Sequence, residues 1–314
     1  MARYILGRLV ATIPVLITVA VAVFLLIHLS PGDPAVVIAG EQASPADIEK
    51  IREKLGFNDP LLVQFMTWAG QMLTGDFGRS IFNDYPVSGL IGERIGATLS
   101  LALITMVISI SVAVPLGILA AQRAGGWLDR AVMGLSVLGF SVPVFCVGYA
   151  FIFLLAVWGK LLPVQGYVPL AEDPAGFLAR MVMPALTLSF AYVALLARMT
   201  RASMIEVIGQ DYIRTARAKG LGVPTILVRH ALRNASVPIV TTIGLGLASL
   251  LGGVVVTESV FAIPGLGRLI VDAILRRDYP VIQAVILLFA LIYVIINLLI
   301  DLSYSLIDPR IRDR

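Results

Sequence analysis

A chain of 314 residues with 58% hydrophobic and only 14% charged side chains is not a water-soluble domain, where charged residues make up about 25%. Its net charge of +4 is too small to mark a nucleic-acid partner and reads as membrane topology. The single cysteine, Cys146, excludes an internal disulfide framework and a cysteine-based metal cluster; its apolar surroundings suit core packing.

Arg3 and Arg8 precede an apolar run, Leu9 to Leu29. The run is longer than a signal-peptide core and no A-x-A site follows, so it reads as a retained signal-anchor helix, with a cleaved leader as the alternative. Spans long enough, or nearly so, to cross a hydrocarbon core of ~30 Å are expected at Leu9–Ile27, Ala97–Ala121, Ala131–Trp158, Pro184–Ala197, Val237–Thr257 and Val281–Ile300. The fourth is shortest. It borrows residues up to Met204, with Arg198 and Arg201 snorkelling.

Between the first two spans lies a large acidic segment. Pro31-Gly32-Asp33-Pro34 predicts a turn. Ser44-Pro45-Ala46-Asp47 predicts a helix start, ended by Gly56. Asp59-Pro60 starts another helix, with Leu62, Phe65, Met66 and Ala69 on one face and Gly75 after it. Such a cap is either a contact for a soluble external partner or a packed spacer. The third span carries Gly139, Ser141, Pro143 and Gly148, and Pro143 predicts a kink or break, which either lines a path through the bundle or is a packing kink.

The stretch Asp211–Gly220 predicts a two-turn helix, with Asp211 as N-cap and Gly220 as stop. It is too short to stand alone, and its bases and small residues suit a cleft on another protein. Pro224 opens a second helix. There Val228, Ala231, Leu232 and Ala235 share one face, and Arg229, His230, Arg233 and Asn234 the other. In the fifth span Gly244, Ala248 and Gly252 lie four apart, a spacing that admits another helix closely; the partner is another span or a second subunit. Glu258, Arg268, Arg277 and Asp278 then form a candidate external mouth. The alternative is local ion pairing among Glu258, Asp272, Asp278 and Arg268, Arg276, Arg277.

Arg3, Arg8, Arg123, Arg130, the bases from Arg198 to Arg233 and Arg310, Arg312 and Arg314 fall on one side of this topology. The positive-inside rule makes that side cytoplasmic, with both termini. No span carries an ionisable residue at its middle, which disfavours ion-coupled carriage. No G-x-x-x-x-G-K-[ST], H-E-x-x-H or G-x-S-x-G motif occurs, which disfavours a nucleotide-hydrolysing or familiar membrane enzyme. Power is expected from another protein through the short basic helix.

Tyr212-Ile213-Arg214-Thr215-Ala216-Arg217-Ala218-Lys219-Gly220-Leu221, then Arg229-His230-Ala231-Leu232-Arg233-Asn234-Ala235 and Pro238, resembles the permease subunits of ATP-driven binding-protein-dependent (ABC) importers. The match is to the first permease of the dipeptide/oligopeptide branch. Pro31–Pro34, Arg198–Arg201, Pro264–Arg268 and Arg277-Asp278-Tyr279-Pro280 look like the same branch. The general importer signature begins Glu-Ala-Ala; here it reads Arg214-Thr215-Ala216, with Gly220 in place. His230-Ala231-Leu232-Arg233 replaces the closing Ile-x-Leu-Pro. The acid's role is therefore not carried over, whereas those of Ala216, Gly220 and the helix–turn–helix are.

The resemblance implies an all-α polytopic membrane protein with six transmembrane helices, a helical external insertion after the first span and a cytoplasmic coupling helix between spans four and five. Its parts are residues 1–29 (N-terminal end and first span), 30–95 (external cap), 96–304 (permease core with coupling loop 198–236) and 305–314 (cytoplasmic tail). Implied partners are a second permease, two ATPase subunits holding ATP and magnesium, and an external substrate-binding protein, all at a prokaryotic inner membrane. Tyr212, Arg214, Thr215, Ala216, Arg217, Lys219, Gly220 and Leu221 would meet an ATPase subunit. The chain itself would hold no cofactor or metal and have no catalytic residue. The implied cargo is a dipeptide or oligopeptide, with nickel, glutathione or a sugar as alternatives. A membrane-assembly component without a solute path is a remoter reading, and a membrane enzyme a third.

Overall fold

The computed structural model describes residues 2–29, 33, 35–36, 44–54 and 56–307. The expected turn at Pro31–Pro34, save Asp33, and the tail from 308 lie outside them. The described chain is built of helices, and its one β-like feature is the isolated Arg79–Pro86 bridge. Helices α1 (Ala2–Leu29), α2 (Pro45–Lys54), α3 (Leu61–Leu73) and α4 (Val87–Gln122) come first. Then follow α5 (Trp127–Ser141), α6 (Val144–Phe151) and α7 (Pro174–Ile208). The last four are α8 (Asp211–Ala218), α9 (Leu232–Val260), α10 (Leu266–Arg276) and α11 (Tyr279–Ile307). Among the described residues five helical runs are long and apolar enough to cross a membrane, or six when the bent pair α5 and α6 is counted as one span.

That pair is the expected third span. It breaks by 104° between Ser141 and Val144. Val142 and Pro143 are extended, and Pro143 starts α6, where its missing N–H is harmless. Helix α6 runs on as a π-helical stretch, Ile152–Trp158. Cys146 is exposed rather than core, because in a chain of this class the apolar surface faces outward as well as inward.

Two expected helix starts move. The fourth span begins at Pro174, not Pro184: Asp173 caps it by accepting the Gly176 N–H at 2.9 Å, and Pro184 sits inside the helix. The second begins at Val87, well ahead of Ala97.

Contacts divide the chain into two units. One comprises Ala97–Gly267 and Ile296–Arg314. Its core has two clusters. Leu101, Met181, Leu188, Val254, Phe261 and Ile263 belong to one. Ala120, Leu196, Met204, Ile213, Ile226 and Ala231 belong to the other.

The other unit comprises Ala2–Gly96 and Arg268–Ile295. Here Phe24 of α1 packs edge-on against Phe65 of α3, with ring centroids 5.4 Å apart, and lies 5.7 Å from Trp68. This aromatic contact sets the rotation of α3. Gln64, Phe65, Trp68 and Ala69 are partly buried, while Leu62 and Met66, expected on the packed face, are exposed. Gly56 and Gly75 follow their helices with φ of 67° and 83°, the left-handed geometry that suits glycine after a helix end. The Ala35 N–H and Arg52 hold the Asp33 carboxyl below its usual range. Ser80 Oγ donates to buried Asp278, whose other oxygen accepts the Ile81 N–H at 3.1 Å. The carboxylate thus pins the turn around residues 78–87 to the loop before α11.

Candidate functional site

The short helix α8 is fixed at both ends by its own backbone. Extended Gln210 occupies the N-cap position without a side-chain bond. Asp211, expected as the cap, is instead the first helical residue, where its charge still suits the helix dipole. At the far end Gly220, with φ of 78°, donates to Arg217 O at 2.9 Å, and Leu221 N–H donates to Ala216 O at 3.3 Å. These two bonds make a Schellman turn, which the sequence signals through Gly220.

The helix is two-faced. Ile213, at 0% exposure, and Ala216, at 7%, lie in the cluster with Met204, Ile226, Leu227 and Ala231. Tyr212, Arg214, Thr215, Arg217, Lys219, Gly220 and Leu221 are exposed. Of the expected contact residues, Ala216 alone is turned inward. Its small size lets α8 lie close to the neighbouring helices. Tyr212 Oη accepts from Asn234 Nδ2 at 2.6 Å, tying α8 to the start of α9. A cavity of about 220 Å³ lies beside the helix, lined by Gln122, Ile208, Arg217, Val223, Ile226 and Leu227.

The chain leaves α8 through a short α-turn, Val223–Thr225, and a π-helical turn, Ile226–Ala231, that run directly into α9. The second helix and the fifth span are therefore one rod. The π turn holds an extra residue and shifts the helical phase. The buried face becomes Ile226, Leu227, Ala231 and Ala235, and Val228, expected inside, is 59% exposed. Arg229 and Arg233 are exposed beside α8.

A polar clamp that sequence reasoning missed lies in the same unit. Asp129, 4% exposed, takes Arg201 by both oxygens, with Nη2–Oδ2 at 2.7 Å, and accepts the Gly125 N–H at 2.8 Å. Arg201 thus holds α5 to α7 instead of snorkelling. Arg198 stacks over the Phe140 ring, 4.9 Å from its centroid. The only local signal would have been an acid three residues past a Gly-Gly turn.

The other candidates are scattered. Ser141 and Pro143 are exposed, and Ser141 Oγ donates to Val137 O. A Cβ on Gly244 would lie 1.9 Å from Ile300 Cδ1, so that close approach is to the chain's own last helix. Ala248 is half-buried, and Gly252 faces open space. A neighbour off that stripe, Gly246, makes the tightest approach among the described glycines: its Cβ would sit 1.0 Å from Tyr192 Oη.

Glu258, at 0% exposure, is interior rather than at a surface mouth. Thr98 donates to its carboxylate at 2.6 Å and accepts the Leu266 N–H at 2.8 Å. A Cβ on Gly265 would fall 2.0 Å from Glu258 Oε1, which is why a glycine stands there. Arg268 faces Asp272 at 4.0 Å, and Arg277 has φ of 57°. Asp278 takes Ser80 and the Ile81 N–H rather than an arginine, and Arg276 lies over Phe82. Of the expected ion pairs Arg268–Asp272 is formed, while Asp278 is held by hydroxyl and amide donors instead.

Residues 113–313 match the family described as binding-protein-dependent transport system inner membrane component, and residues 1–102 match its N-terminal counterpart. A "Probable peptide ABC transporter permease protein" of Sinorhizobium fredii is 51% identical over 99% of this chain and all of its own length. A "Putative peptide transport system permease protein" of Brucella abortus is 45% identical, and the glutathione transport system permease protein GsiC of Salmonella choleraesuis 44%, each over 99% of both chains. An inward-facing structure of the MetNI methionine ABC transporter shares the fold with a TM-score of 0.58 at 19% identity, covering 70% of this chain and 96% of its own.

Proposed function

We propose that this chain, which belongs to the family of binding-protein-dependent transport system inner membrane components, is a pore-forming permease subunit of an ATP-driven importer of peptides. ATP hydrolysis is assigned to separate subunits. The supporting observation is the double character of α8. Its exposed face offers Arg214, Arg217 and Lys219, while Ile213 and Ala216 lie in the same apolar cluster as α4, α7 and the π turn before α9. Residues on one face can be gripped by an acidic cleft, and the opposite face carries the displacement into the spans.

In this reading loop 198–236 is cytoplasmic, with both chain termini on the same side. Residues 30–95 form an external cap, and 96–304 the permease core. A second permease completes the pore, with open-faced Gly252 of α9 as one contact. Two ATPase subunits sit beneath, and an external binding protein delivers cargo. The full-length relatives named for peptide transport support the cargo class, and glutathione is itself a small peptide.

The test uses the assembled transporter in proteoliposomes, with Ala216→Leu and Gly220→Val. Bulk at Ala216 pushes α8 off its cluster, and a β-branched residue at φ of 78° strains its end. The expected result is continued ATP hydrolysis with labelled dipeptide uptake reduced at least about tenfold. Unchanged uptake in both variants sinks the docking reading. Uptake of labelled dipeptide, glutathione and Ni²⁺ in a deletion strain separates the cargo alternatives.

A further inference from the structure

The unit formed by Ala2–Gly96 and Arg268–Ile295 contains a cavity of about 830 Å³. That lies within the range of small-ligand sites, about 300–1,000 Å³. Its wall is aromatic: Phe24, Phe57, Trp68, Phe77 and Tyr279 all line it. Its polar lining is acidic. Glu53, Asp59, Asp76 and Asp84 face it, against one arginine, Arg79. Arg79 is already matched, since its Nε donates to Asp84 Oδ1 at 2.7 Å. No described lysine or arginine lies in ion-pair range of Glu53, Asp59 or Asp76.

The wall is also held in place. His28 Nε2 meets Gln64 Oε1 at 3.0 Å, and Gln64 Nε2 donates to Asp59 O at 2.8 Å. Trp68 Nε1 donates to Gln283 Oε1 at 3.2 Å, and Gln283 Nε2 donates to Val23 O at 3.2 Å. His28, Gln64, Trp68 and Gln283 spend these hydrogen bonds on one another and on backbone carbonyls, so the cavity offers a ligand mainly ring faces and carboxylates. Ring faces and carboxylates both attract cations. The same charges repel phosphate and anionic lipid headgroups.

We propose that this cavity binds short peptides that carry a free amino terminus or a basic side chain, the ammonium held by Glu53, Asp59 and Asp76 and an apolar side chain laid on the aromatic wall. The proposal rests on the peptide-import reading and adds a recognition site to it, on a part of the chain remote in sequence from α8.

Trp68 reports on the cavity directly. The chain has three tryptophans, so Trp127→Phe with Trp158→Phe leaves Trp68 alone. In the full chain, held in phosphatidylcholine nanodiscs, the dipeptide Lys-Phe should give a saturable change in Trp68 emission. N-acetyl-phenylalaninamide, which lacks the cation, should bind at least tenfold more weakly. Asp59→Asn with Asp76→Asn should weaken Lys-Phe at least tenfold. Asparagine keeps the oxygen by which Asp76 accepts the Gly78 N–H. Glu53→Gln, a single exposed change on α2, should weaken it at least threefold. Unchanged emission of the peptide-free variants reports an intact wall. No saturable response, or equal binding of both probes, overturns the proposal, as does Lys-Phe binding that none of the carboxylate changes alters. Because the readout is binding without ATP or partners, its failure is distinct from that of the import reading, which shows as normal dipeptide uptake in a deletion strain.

Discussion

One missing β-carbon decides a helix contact at Gly246. Tyr192 fills the space where that carbon would stand and donates its hydroxyl to Ile243 O at 3.2 Å. Gly246→Ala should expel the ring and cost about 1–3 kcal/mol, the usual range for overpacking. The loss is read as a lower unfolding midpoint in detergent, and Tyr192→Leu in the same background should recover part of it. At this scale the sequence was only partly legible. The four-residue stripe pointed to Gly244, which does meet Ile300, and to Gly252, which meets nothing. Gly246 lies off the stripe, and only the position of Tyr192, far away in sequence, makes it indispensable. The Asp129–Arg201 clamp was hidden for the same reason, since its partners stand 72 residues apart.

Elements with strong local punctuation were readable. The acid and glycine around α8 bound it to within a residue or two, and Pro143 stands at the N-cap of α6, where the third span breaks. Phase was not readable past residue 226, because an α-helical wheel carries no term for a π turn. That turn gives a sharp prediction. Deleting Val228 removes one exposed residue from it, letting an ordinary α-turn form while the buried series Ile226, Leu227, Ala231 and Ala235 keeps its direction. Deleting exposed Leu245 from regular α9 instead rotates everything beyond it by about 100°. The first deletion should yield stable, membrane-inserted protein in size-exclusion and thermal assays. The second should aggregate.

For the molecule as a whole, composition and hydropathy gave the class and the order of the spans, since both are properties of local stretches. They could not give the pairing of the first inter-span segment with the loop before α11. Asp278→Ala removes the acceptor for Ser80 Oγ and the Ile81 N–H. Amide hydrogen exchange in residues 78–87 should rise, while the core of Ala97–Gly267 keeps its protection. Unaltered exchange in the turn would mean the carboxylate is not its anchor. The spacing of the two partners also sets a clock for biogenesis. Ser80 waits for an acceptor 198 positions downstream, and at about 5–20 residues per second the ribosome takes roughly 10–40 s to deliver it. Through that interval the nascent hydroxyl and amide must be satisfied by water or a chaperone, so translation pauses ahead of codon 278 would lengthen exposure to proteases.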